Sequence, residues 1–430
     1  MFVSIELENI GPYTKKVKYD FKINKKDKKN LDSTIELPDG VIISKIVGVI
    51  AGNASGKSTL IDALTSIGAF MDKPIKARKM PSVDELYKDN DSFPISKVSY
   101  EGYYDFVRNH NPLISVNRSN KNNVGTIKVE MYINTKNDYE GYYQYTVQYD
   151  SNVDLTGVLL EKLEYKRKYV NKYSIVFQTR SGVKESEIGS KLFSKQNWIV
   201  ELESAGMDTK GFENRMNYYE SFYKKYIEES SIMLFDYQVD EEDVADTIKE
   251  EKYLFLKALK MVDNSVVDVE VDAETDEKKV FINYGNYSLR YDYLSTATKK
   301  ICDFLYNFVI TSKNSGVLLS DEFDSSLNRE VSKMLLSIYI NSNIKKTGQF
   351  IFTAITPEIF EKLRRDQIFI LTKENGIVDL TRYDEFRNPD NNQIVRNDFS
   401  FTKAYKNNII KNYPYGNLIN DFIKYLEDRI

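Results

Sequence analysis

Three short stretches of this 430-residue chain carry side chains able to do chemistry together. The first is Gly52-Asn53-Ala54-Ser55-Gly56-Lys57-Ser58-Thr59, a run of small residues ending in one lysine and two hydroxyls. Its two glycines allow a tight turn in which successive backbone N–H groups point inward at phosphate oxygens. Lys57 would then reach the β- and γ-phosphates of a nucleoside triphosphate, and Ser58 would offer its hydroxyl to Mg²⁺. The second stretch is Gly316-Val317-Leu318-Leu319-Ser320-Asp321-Glu322, an apolar run ending in two carboxylates. Beside a phosphate loop, Asp321 would hold Mg²⁺ directly or through water, and Glu322 would orient and polarise the attacking water as a general base. Without Lys57 upstream, the same pair would read as a solvent-facing strand end. The third stretch, Ser295-Thr296-Ala297-Thr298-Lys299-Lys300, is first of all a helix N-cap. It would also present N–H groups and a hydroxyl to a γ-phosphate, including one held on a second subunit.

Elements of recognisable type must position these residues. The β-branched run over 41–50 reads as one buried strand emptying into the phosphate loop, and a helix pattern runs from Thr59 to about Met71. Residues 2–8 and 17–21 alternate as strands about a turn at Gly11-Pro12. Residues 72–125 are polar and weakly patterned, with Pro74, Pro81, Pro94 and Pro112. From 126 to 177 the chain alternates through four strands of a meander, and 185–260 turns helical, with stripes at 222–227 and 253–259. Strand pattern returns at 266–271 and 279–284, followed by a helix over 301–310 and a strand over 349–353. No sustained heptads occur between Thr59 and Ser295, so long coiled-coil arms are not expected.

Bulk properties narrow the class. The chain is long enough for two or three lobes. A formal net charge of −4 gives no global basic character, although the 25–29 and 166–172 segments are locally basic. The single cysteine, Cys302, excludes an internal disulfide framework, fits a reducing cytosol and reads as a small buried side chain on a helix. No signal pattern or membrane-length apolar run is present, so a cytoplasmic protein without a membrane partner is expected. The 32 tyrosines invite a base-stacking reading, but composition alone would produce such richness. The only histidine, His110 in Arg108-Asn109-His110-Asn111-Pro112, reads as an exposed loop residue.

The order of these motifs resembles the heads of ABC-class ATPases, and more closely bacterial ATPases of the OLD-like, abortive-infection type. The resemblance runs from the amino-terminal Ile-Glu-Leu-Glu-Asn-Ile strand through Gly-Asn-Ala-Ser-Gly-Lys-Ser-Thr-Leu and the Leu160-Glu161-Lys162-Leu163 strand. It continues through Leu294-Ser295-Thr296-Ala297-Thr298-Lys299-Lys300, where the family has a Ser-x-Gly-Thr-Lys signature, to Leu318-Leu319-Ser320-Asp321-Glu322-Phe323-Asp324-Ser325-Ser326-Leu327 as Walker B and D-loop. Arg365-Asp366-Gln367-Ile368, Lys373, Val395-Arg396 and Ala404-Tyr405 are similar to the family's carboxy-terminal region.

The resemblance implies an α/β fold: an ABC-type P-loop head with a mixed sheet, an antiparallel β subdomain and a helical lobe. The implied division is an amino-terminal half of the head over 1–185, a helical insertion over 186–262 and a carboxy-terminal half over 263–430. ATP with Mg²⁺ would be sandwiched in a homodimer or higher homo-oligomer, Ser295 and Ala297 facing the partner's γ-phosphate and Asp324 lying at the dimer seam. Three departures stand out: Ala51 and Ala297 replace family glycines, and Ile355 stands where the family has a switch histidine. No glutamine occurs between Lys57 and Thr126 to serve as a Q-loop. These features imply a slow ATPase serving as sensor or regulatory subunit of an antiphage system and controlling a separate nuclease or toxin effector. The alternative is a DNA-repair or chromosome-maintenance ATPase of the RecF type that binds DNA directly.

Overall fold

A computed structural model describes residues 1–24, 31–52, 55–72, 124–133, 140–150, 158–180, 234–235, 241–272, 278–314, 316–341, 348–374, 376–387, 394 and 400–406. The chain begins with β1 (Phe2–Glu8), β2 (Val17–Asp20), β3 (Thr34–Glu36), β4 (Ile42–Ser44), β5 (Ile46–Ala51) and helix α1 (Lys57–Asp72). Next come β6 (Val124–Ile133), β7 (Gly141–Asp150), β8 (Val158–Arg167), β9 (Ser174–Arg180) and the two-residue β10 (Leu234–Phe235). Helix α2 (Glu241–Val262) leads to β11 (Asp268–Asp272), β12 (Lys279–Asn283) and β13 (Ser288–Arg290), then to α3 (Thr296–Asn314). The last elements are β14 (Val317–Ser320), α4 (Arg329–Asn341), β15 (Gln349–Ala354), β16 (Ile368–Glu374), β17 (Ile377–Arg382) and α5 (Phe401–Lys406). Among the described residues no helix is long and apolar enough to cross a membrane.

The chain forms two compact units, one made of 1–20 and 58–234, the other of 21–57 and 235–430. In the first, six strands pair in the order β2-β1-β6-β7-β8-β9, every neighbouring pair antiparallel. Alternation explains the sheet: Ile127, Val129 and Met131 are buried, while Lys128 and Glu130 between them are half-exposed. Much of the tyrosine content is core. Tyr13, Tyr19, Tyr132, Tyr143, Tyr145, Tyr149 and Tyr165 are all almost completely buried, and the Tyr13 and Tyr19 hydroxyls hydrogen-bond at 2.8 Å.

The second unit is built on a sheet of order β10-β14-β15-β5-β16-β17. Strands β14, β15, β5 and β16 are parallel, and β17 runs antiparallel at the edge. Every residue of β14, β15 and β5 is buried, as a parallel sheet covered on both faces requires. On one face Phe304, Phe323, Tyr339, Phe350, Phe352 and Phe360 form a continuous ring cluster with centroids 5.1–6.4 Å apart. Gly48 of β5 is needed there, because a Cβ would lie 2.7 Å from Phe360 and 2.9 Å from Leu363. Helix α2 and the antiparallel β11-β12-β13 sheet share the same core through Val244, Ile248, Val269, Val280 and Ile282. Of the helical stretch expected over 186–262, residues 241–262 form α2, which departs from helical geometry at Glu251, but 234–235 are not helical: they form β10, paired with β14 at the sheet edge.

Two expected elements differ from the observed ones. The single strand over 41–50 is broken at Lys45: β4 pairs antiparallel with β3, and β5 enters the parallel sheet. The break is held from both sides. Ser44 Oγ donates to the Ile46 carbonyl, Gln349 Nε2 donates to the Ser44 carbonyl, and the Lys45 N–H donates to Ser33 O. The helix expected over 301–310 begins earlier, at Thr296, because its first turn is capped rather than apolar. Cys302 is buried on that helix, as its isolation suggested.

Lys45 is 2% exposed, and burial pushes its ammonium down from 10.5 to about 8, opposed by the charge of Asp32. Between pH 8 and 10.5 the unfolded chain therefore binds more protons than the folded one at this site, so stability rises with pH across that window. Lys45→Met is expected to stabilise the protein at pH 7 by about 2 kcal/mol and to remove that rise. Urea unfolding of both proteins at pH 7 and pH 9.5 measures it. A variant no more stable than the parent at pH 7 would contradict the assignment.

Candidate nucleotide site

The site lies at the carboxyl edge of the parallel sheet of the second unit. Ser320 of β14 pairs with Phe352 of β15, and Phe352 pairs with Gly48 of β5, so all three strands end on the same side. Asp321 leaves the end of β14, and Gly52, the first residue of the expected phosphate loop, leaves the end of β5. One strand separates them, so two strand spacings put them roughly 10 Å apart, a gap that a long lysine and a hydrated cation with phosphates can bridge. The carboxyl edge of a parallel sheet is where such folds bind ligands.

Lys57 opens α1 and is buried at 6% exposure. Its ammonium donates to the carbonyls of Ala51 at 2.9 Å and Gly52 at 3.2 Å. Burial lowers its pKa, and the charges of Glu322, Asp321 and Asp324 oppose the shift. Lys57 thus sits in the field of all three carboxylates singled out from the sequence. Gly56, just before it, has φ +93°, a conformation that side chains rarely adopt. Ser55 is buried. The first turn of α1 has no acidic residue, so no side chain of that turn neutralises the positive end of the helix dipole. Asn53 and Ala54 lie outside the described residues, as do His110, Val395 and Arg396, and the 25–29 lysines. Ser58 is exposed and Thr59 half-exposed on α1, within the first unit.

The acid turn is held by residues that sequence reasoning did not assign. Thr353, at the end of β15 and fully buried, donates its hydroxyl hydrogen to Asp321 Oδ1 and accepts from the Glu322 N–H at 2.8 Å. Its carbonyl accepts the Phe323 N–H at 2.8 Å. Phe323 itself is fully buried in the ring cluster. Glu322 is left exposed with φ +46°, a strained conformation for a residue with a side chain. Such strain persists where neighbours over-determine it. Here the N–H of Glu322 is fixed by Thr353, and its carbonyl accepts from Lys300 Nζ at 3.1 Å.

Lys300, on the second turn of α3, also donates to the Ser325 carbonyl and hydroxyl, each at 2.9 Å. Burial lowers its pKa as well, opposed by Asp324, Glu322 and Asp321. Asp324 accepts the Ile355 N–H at 3.2 Å and the Thr356 N–H at 2.7 Å, capping the two backbone groups just past β15. Ile355 is 38% exposed there. Ser295 caps α3: its Oγ accepts the Thr298 N–H at 3.1 Å and lies 2.8 Å from the Thr298 hydroxyl. Ala297 is half-exposed in the first turn, which also lacks acidic residues.

Chemically, the second unit offers two lysines and three carboxylates at one edge, with the amino end of α1 opening at Lys57. Anionic phosphate beside Asp321, Glu322 and Asp324 would be repelled unless a cation lay between them. A hard cation with oxygen ligands is what the carboxylate of Asp321 suits, with water and phosphate oxygens completing the shell. The donor set therefore fits a magnesium–nucleotide pair.

No protein-family model matches the chain, and no curated protein matches it. Among solved structures, the chain is similar to the SmcHead bound to the C-winged helix domain of ScpA, at 13% identity and TM-score 0.43, covering 88% of this chain and 96% of that one. It is also similar to an Smc head domain with an extended coiled coil bound to the C-terminal domain of ScpA derived from Pyrococcus furiosus, at 14% identity and TM-score 0.42. That match covers 88% and 95% of the two chains.

Proposed function

We propose that the protein is an ABC-class ATPase that binds ATP with Mg²⁺, dimerises around it, and serves as the cytoplasmic sensor subunit of an antiphage, abortive-infection system. The observation that carries the nucleotide reading is the buried Lys57 ammonium lying in the field of Asp321, Glu322 and Asp324 at one sheet edge. In this reading Gly52 to Thr59 cradle the phosphates and Lys57 bridges the two outermost ones. Asp321 would hold Mg²⁺, which supplies charge neutralisation when bound, and Glu322 would align the attacking water. Ile355 brings no imidazole to the end of β15, which suits a slow turnover and a long-lived ATP state. A sensor needs such a state.

Dimerisation is supported by the capped, acid-free start of α3, where the exposed Ser295 and half-exposed Ala297 would face a partner's γ-phosphate. Asp324 would lie nearby at the seam while keeping its hold on Ile355 and Thr356. Control of a separate toxic effector is supported by the motif order alone. Light scattering of the Glu322→Gln variant tests the dimer: with saturating Mg²⁺–ATP its mass should double from 50.0 kDa, and a mass that stays single would contradict it. Phage plating tests the defence role, since Lys57→Ala in the intact gene cluster should abolish any protection the parent confers.

A further inference from the structure

We propose that the tip of the β8–β9 hairpin, in the first unit, binds single-stranded nucleic acid through the ring of Tyr169 and the cations around it. The inference is independent of the nucleotide site. Residues 166–172 read Lys-Arg-Lys-Tyr-Val-Asn-Lys, four cations in seven residues of a chain whose net charge is −4. The turn closes with the Val170 N–H donating to the Arg167 carbonyl at 3.2 Å. Tyr169 is 74% exposed and Val170 46% exposed at its tip.

The backbone says more. Tyr169 has φ +65°, a left-handed conformation in which glycine or asparagine would be at ease. A turn shaped for stability alone would carry one of those. Instead the strained position holds a large ring and displays it to solvent. Strain kept at an exposed position points to use of the side chain.

The cations flank Tyr169 in the chain, and two of them are held by neighbouring strands. Lys166 lies over the rings of Tyr142 at 4.3 Å and Tyr173 at 5.0 Å, and the Tyr173 hydroxyl donates to Glu130 at 2.7 Å, fixing the stack. Lys168 pairs with Glu140 at 3.2 Å. Arg167 and Lys172 are exposed and form no ion pair among the described residues. Among the described residues, the carboxylates bonded to this segment are Glu140, paired with Lys168, and Glu130, which accepts from Tyr173.

A ligand suited to this tip is a flexible polyanion that also offers bare planar faces. Single-stranded nucleic acid does so, its phosphates meeting the cations and a base stacking on Tyr169. A duplex keeps its bases stacked inside, and an acidic polypeptide has charge without ring faces.

Fluorescence anisotropy of the full-length protein with labelled oligothymidylate, without nucleotide, tests the proposal. Binding is expected, weakening about 20-fold between about 50 and 200 mM salt if three phosphates are neutralised. Tyr169→Gly should lower affinity about tenfold or more. Its thermal midpoint should hold or rise, because glycine relieves the turn, so a loss of binding is not a loss of fold. Tyr169→Trp should retain binding, and Arg167→Gln with Lys172→Gln should flatten the salt dependence. The proposal is overturned if oligothymidylate does not bind at low salt, or if Tyr169→Gly binds as tightly as the parent. It is equally overturned if a same-length duplex or polyglutamate binds as tightly as the single strand.

Discussion

Lys57→Ala is expected to weaken Mg²⁺–ATP binding by about two to four orders of magnitude in calorimetry, from two charge-assisted bonds to phosphate at about 1.5–3 kcal/mol each. The fold should survive. In the protein as described, the ammonium is buried and desolvated, and its bonds go to two loop carbonyls, those of Ala51 and Gly52. Losing those bonds and losing the desolvation penalty offset one another, so the thermal midpoint should move little. An affinity within a factor of about three of the parent, less than 1 kcal/mol, would show that Lys57 does not touch the nucleotide.

The second large effect is expected at Glu322. Glu322→Gln keeps the size and the backbone anchors of the residue but removes the base, so phosphate release should fall by about 10² to 10⁴-fold. ATP affinity should stay within a few-fold of the parent, because the amide still fits the turn fixed by Thr353 and Lys300. Turnover and binding then separate. A variant that hydrolyses at the parent's rate would remove Glu322 from the reaction. One that loses binding as well would place it in the ligand shell instead.

The loop and the acid turn were legible in the sequence because their chemistry is written in contiguous residues. Glycine spacing, one lysine and a hydroxyl, or an apolar run ending in Asp-Glu, need no distant information to be read. The supports were not. Thr353 lies 32 residues from Asp321, and Lys300 lies 22 from Glu322. Nothing local marks them, although a threonine at the end of the apolar run 349–354 and a second lysine after the 295–298 turn were the signals available. The break at Lys45 failed for a related reason. A β-branched run carries strand propensity but no sign of which sheet each half joins, and that choice is made by Ser33, Gln349 and Phe350 from elsewhere in the chain. The cap of α3 was legible at Ser295, but the helix was drawn from 301 because its first turn, Thr-Ala-Thr-Lys-Lys, has no apolar period. Asp324 gives the subtler lesson. Motif order assigned it to a subunit seam, whereas within the protomer it has a job of its own, capping the backbone past β15.

The central claim is that Lys57 and Asp321 act on one and the same magnesium–ATP. A double-mutant cycle in calorimetry tests it most directly, with Lys57→Ala, Asp321→Asn and the two combined. If both residues serve one ligand, each single change should cripple Mg²⁺–ATP binding and the double should be scarcely worse than the worse single, a coupling above about 1 kcal/mol. Losses that simply add, with each variant's deficit independent of the other, would mean two unrelated sites.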